Sequence, residues 1–81
     1  MAYSELDGQT REIAERVLTE KQLEAFLLEQ RGFGMMAIAR RLSITKGAAV
    51  SRIDGAHLKL RKAGVTMDGS GMWSVDEEVA A

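Results

Sequence analysis

The chain contains no cysteine, no proline and one histidine, and aromatic residues make up only 5% of its 81 residues. Without cysteine there is neither a disulfide framework nor a thiolate zinc site. A lone histidine forms no His cluster for a transition metal. No stretch approaches the roughly 18 consecutive apolar residues that a membrane-spanning helix requires. The start, Met-Ala-Tyr-Ser-Glu-Leu-Asp, has no basic segment followed by an apolar run, so no secretory signal is expected and the cytoplasm is the expected compartment. A chain this short and without staples is expected to rely on close helix packing or on association with a partner.

What is present is an ordinary balance for a folded domain, 46% hydrophobic and 28% charged, too apolar for a disordered one. The net charge of −1 hides a segregation. Residues 1–31 carry four basic side chains against seven acidic ones. Residues 32–62 carry seven basic ones (Arg40, Arg41, Lys46, Arg52, Lys59, Arg61, Lys62) against Asp54 alone, and residues 63–81 carry four acids and no base. An electropositive middle between acidic flanks steers polyanions. The competing reading is a set of solvated helix faces that differ in sign by chance.

Helical periodicity dominates residues 1–64. Ser4 or Asp7 is placed to cap a first helix whose Ile13, Ala14, Val17 and Leu18 recur at helical spacing. Thr19 with Gln22 forms a capping-box pair ahead of a second helix striped by Leu23, Phe26 and Leu27. Gly32 is placed for the left-handed position that ends it, and Gly34 opens a short helix over 35–42 with Ile38, Ala39 and Leu42 on one face. Ser43-Ile44-Thr45 is a turn whose Thr45 caps a fourth helix over 46–62. There Ala49, Ile53, Ala56 and Leu60 form the inward face. Beyond Gly64 the pattern changes to two short β-like runs around Asp68-Gly69-Ser70-Gly71. Two outcomes are open, a marginal hairpin or an irregular tail with Trp73 lying on the helices. The expected fold is therefore all-α, a four-helix domain (1–64) containing a helix-turn-helix, with a short C-terminal extension or marginal β-hairpin (65–81).

The helix-turn-helix reading rests on packing. Ala39 is small where two helices cross, and Leu42, Ile44, Ala49 and Ile53 fill the shared core. The fourth helix is then free to present Lys46, Gly47, Val50, Ser51 and Asp54 outward, on the face that enters the major groove in this motif. Lys46 suits a guanine edge, Ser51 several bases, and Val50 a thymine methyl. Arg52 suits a phosphate or a guanine, or else is a solvated side chain beside Asp54 or Asp76. Arg40, Arg41, Lys59 and Lys62 are phosphate candidates. Backbone N–H groups after Thr45 offer an anion site. Gly47 and Gly55 each cost about 1 kcal/mol of helix stability relative to alanine, which suggests close approach of another backbone or a helix that firms up when bound.

From Leu18 to Lys62 the chain resembles region four of bacterial sigma factors, especially the extracytoplasmic-function class. It is more distantly similar to the C-terminal domain of quorum-sensing response regulators. The resemblance is carried by Leu18-Thr19, Gln22, Glu24, Gly32-Phe33, Ile38-Ala39, Leu42 and Ile44-Thr45-Lys46-Gly47. Ser51-Arg52-Ile53, Ala56, Lys59-Leu60 and Arg61 continue it in family order. It implies a four-helix domain whose last helix reads a promoter element and whose surface touches RNA polymerase. Ala48 and Val50 stand where such domains often carry polar or basic readers, and Met35 and Met36 replace the usual polar start of the third helix.

No catalytic constellation is present. His57 has no nucleophile or base beside it in the sequence, and Gly69-Ser70-Gly71 is too short for a phosphate loop. The expectation is a non-enzymatic, cofactor-free transcriptional regulator that binds double-stranded DNA sequence-specifically. Two alternatives stand beside it: an interaction module for RNA polymerase or a sigma antagonist, and a DNA-packaging or recombination accessory protein. A homodimer is expected, because one recognition helix with few long polar readers covers little DNA. Its anchors are expected at Met72, Trp73 and Val75, among apolar side chains the helical core does not obviously need.

Overall fold

A computed structural model describes residues 8–67, 69 and 73–75. The element order is α1 (Gly8–Val17), α2 (Glu20–Gln30), α3 (Met35–Leu42), α4 (Lys46–Lys62), β1 (Val65–Met67) and β2 (Trp73–Val75). The architecture is the expected helical domain with a short antiparallel hairpin. Ser4, Asp7 and Met72 lie outside the described residues.

The punctuation follows local chemistry. On α1 the exposed face is tied by Arg11–Glu15 at 3.0 Å and Arg16–Glu12 at 3.3 Å, exposed pairs that contribute about 0.3–0.5 kcal/mol each. Thr19 caps α2 in a full capping box. The Gln22 N–H donates to Thr19 Oγ1 at 3.2 Å, and the Thr19 N–H donates to Gln22 Oε1 at 3.1 Å. Gly32 ends α2 in the left-handed region, φ 94°. Phe33 N–H then donates back to Leu28 O at 3.2 Å, the pattern that closes a helix C-terminus. Thr45 caps α4 by accepting from the Ala48 N–H at 3.1 Å. In the α3–α4 turn the left-handed residue is Ser43, φ 57°, with Ile44 N–H donating to Ala39 O at 2.9 Å. The sequence reading did not anticipate a left-handed backbone there.

The core falls into two clusters joined by α2 and α4. One holds Ala25, Leu28, Ile38, Ala39, Ala49 and Ile53, with Leu42, Ile44, Phe33 and Met35 packed around it. It is the core that the helix-turn-helix shares with α2 and contains the side chains predicted for it. The other holds Ala14, Leu18, Phe26, Ala56, Leu60, Val65 and Trp73. Alanines at 49 and 56 let α2 and α3 sit close to α4, while Ile53 and Leu60 fill the gaps between them.

The C-terminal strands pair Val65 with Val75, Thr66 with Ser74 and Met67 with Trp73. Trp73 is 2% exposed and packs edge-on to Phe26 at 5.8 Å between centroids, with His57 at 4.8 Å. Of the two open outcomes for this segment the hairpin forms and the irregular tail does not, although Trp73 lies on the helices as the second outcome had it. Val65, Trp73 and Val75 contribute to the same core as the helices.

Candidate nucleic-acid interface

Helix α4 offers three stripes to a ligand. At about 100° per residue, Gly47, Ser51, Asp54 and Leu58 lie opposite the buried Ala49, Ile53, Ala56 and Leu60. Val50 and Arg61 flank this outer stripe on one side. Ala48, Arg52 and Lys59 flank it on the other. The placement separates predicted readers that looked adjacent in sequence. Ser51 stays on the outer stripe with Val50 beside it, whereas Arg52 shares its flank with Lys59. That position suits a phosphate contact better than a base edge.

The remaining candidates are exposed near the turn. Arg40 and Arg41 form the basic last turn of α3, and Thr45, Lys46 and Gly47 open α4, all five exposed. Ala48, Val50, Arg52 and Lys59 are half-buried. Among the described residues no lysine or arginine of 32–62 has an ion-pair partner, in contrast to Arg11 and Arg16 of α1. Arg41 instead rests over the Phe33 ring at 5.4 Å, with Arg31 over the same ring at 5.8 Å. Phe33 thus gathers two guanidinium groups beside a shallow groove floored by Leu27, Leu28 and Leu42. The sequence reading did not anticipate this pairing. The Phe33 position after Gly32 carried no sign of a cation–π role.

The two helix glycines part company. A Cβ at Gly55 would lie 2.7 Å from Gln22 Nε2, whereas at Gly47 it would meet only Thr45 Oγ1 at 4.0 Å. Gly55 therefore accommodates α2 within the protein. Nothing inside the fold requires Gly47. Its bare backbone stands at the helix start, where the first N–H groups have no intrahelical acceptor and the macrodipole favours an anion.

His57 is structural. Its Nε2 lies 2.7 Å from Glu29 Oε1, its ring is edge-on to Phe26 at 6.2 Å, and both partners of this contact are largely shielded. The pair bridges α2 and α4 on the flank opposite Gly55 and Gln22, so α2 crosses α4 instead of running along it.

The expected dimer anchors need correction. Trp73 is consumed by the chain's own core, and Val75 packs against the same cluster. The interior had room for an indole because Ala14 and Ala56 keep the surrounding helices thin. Met72 lies outside the described residues. Met35 is also partly buried. Among the described residues the large apolar side chains that remain half-exposed are Met36 at 50%, Leu58 at 52% and Met67 at 54%, on three different elements.

Comparison with known proteins returns no match to any family model, curated protein or solved structure. Among the described residues no helix is long and apolar enough to cross a membrane.

Proposed function

We propose that this protein is a small regulator of transcription that binds double-stranded DNA by laying α4 in the major groove. One observation carries the reading: an outer stripe that begins with small side chains, Gly47 and Ser51 beside Val50, runs between flanks whose lysines and arginines have no ion-pair partner among the described residues. A groove-bound helix needs this division, with base edges meeting the outermost stripe and phosphates of the two strands meeting the flanks. Arg40 and Arg41 extend the positive surface across the turn, and the N-terminus of α4 adds an anion site. The resemblance to sigma region four supports the same orientation. The cytoplasm is the compartment this function requires.

Pairing into a two-fold dimer belongs to the proposal, because two half-sites one helical turn apart supply the coverage that one helix lacks. A second reading has its own support. The groove of Leu27, Leu28 and Leu42 under Arg31 and Arg41, which Glu24 also lines, fits a partly apolar protein segment whose acidic groups meet the two guanidiniums, as on RNA polymerase or a sigma antagonist.

The test is binding to a random duplex pool across a salt series, followed by selection of bound sequences. If Arg40, Arg41, Lys46, Arg52 and Lys59 each neutralise a phosphate, log K falls with log salt at a slope of about −4.5. The proposal expects that slope and a selected motif. Salt-sensitive binding without a motif points to a packaging or recombination accessory. No binding at low salt overturns the proposal.

A further inference from the structure

We infer that Asp54 is a specificity residue that accepts a hydrogen bond from cytosine N4 in the major groove, an inference that rests on the DNA-binding reading. Asp54 is the sole acid among residues 32–62. It is exposed, on the outer stripe of α4 one turn beyond Val50 and Ser51. Its helix neighbours at i±3 and i±4 are Val50, Ser51, His57 and Leu58, none of them a lysine or arginine, and His57 is turned to Glu29. The other helix acids with a basic residue four positions away, Glu12 and Glu15, use it. Asp54 has no such pair among the described residues, caps nothing, and is a poor helix former at mid-helix. The fold obtains no return from it, and on a phosphate-facing surface a carboxylate is repulsive.

The repulsion becomes useful in the groove. A carboxylate there matches the N4 amino group of cytosine, which is a donor, and opposes the acceptor-rich edge of guanine. It also weakens binding wherever no cytosine is presented, which widens the gap between specific and non-specific sites. The residue that subtracts affinity from random sequence thus adds discrimination at one base pair.

The experiment compares the base preference of the wild-type protein, Asp54→Ala and Asp54→Asn by duplex selection, with helical circular dichroism as the folding control. In the wild type one position per half-site is expected to favour cytosine by about tenfold, the typical weight of one mismatched pair. Asp54→Ala flattens that position alone and tightens binding to random duplex by about threefold, the effect of one charge about 7 Å from a phosphate in water. Asp54→Asn moves the preference toward adenine, whose N6 and N7 suit a carboxamide. Wild-type binding with an unchanged base preference in both variants overturns the inference and leaves DNA binding intact. Failure of the wild type to bind any duplex overturns both.

Discussion

Replacing Trp73 by alanine tests whether the hairpin is part of the domain or an appendage. The indole is 2% exposed and touches Phe26, itself fully buried, with His57 packed against both rings. Removing such a side chain costs about 3–5 kcal/mol through lost burial and the cavity left behind, and the edge-on aromatic contact adds about 0.5–1.5 kcal/mol. A core in a chain of this size supplies only about 3–5 kcal/mol in total. Trp73→Ala is therefore expected to be largely unfolded at room temperature. Trp73→Phe, which keeps an edge-on ring against Phe26, is expected to lose much less. Urea titration followed by far-ultraviolet circular dichroism reads both. A Trp73→Ala midpoint indistinguishable from the parent's would refute the placement of this side chain in the core.

Other substitutions follow from local geometry. Gly55→Ala gains about 1 kcal/mol of helix propensity but pushes Gln22 out of its capping box, so its urea midpoint stays near the parent's. In a Gln22→Ala background the same change stabilises by about 1 kcal/mol, and equal effects in both backgrounds would exclude the coupling. Ser43→Gly relieves the left-handed backbone and stabilises by up to about 1 kcal/mol; a loss of stability would mean that the serine side chain holds the turn. Ile53→Asp places an unpaired charge in the helix-turn-helix core and is expected to abolish the cooperative thermal transition. A parent-like melt would put Ile53 on the wrong face.

The helices were legible because each break carries its own chemistry. Thr19 with Gln22, Gly32, Gly34 and Thr45 mark ends that need no tertiary information, and the spacing of Ala49, Ile53, Ala56 and Leu60 gives the buried face of α4. The left-handed turn was not legible, because a serine there has the composition of any loop. The fate of Trp73 was also open: strands of three residues give too weak a periodicity, and only the packing of Ala14, Phe26 and Ala56 in one cluster decides where an indole lies. For the candidate site, the basic segregation and the outward stripe were readable from spacing. The position of Arg52 on the Lys59 flank, the stacking of Arg31 and Arg41 on Phe33 and the His57–Glu29 bridge were not, since each depends on how α2 crosses α4.

The most direct test of the central claim is the affinity of a labelled duplex for the wild-type protein and for Lys46→Ala/Arg52→Ala, measured by fluorescence anisotropy at several salt concentrations. Neither side chain has an ion pair among the described residues, so the fold and its circular dichroism are expected to be unchanged. The account predicts binding weakened more than tenfold and a salt slope shallower by about 2, one for each lost phosphate contact. An affinity and slope equal to the wild type's would remove α4 from the interface and contradict the account.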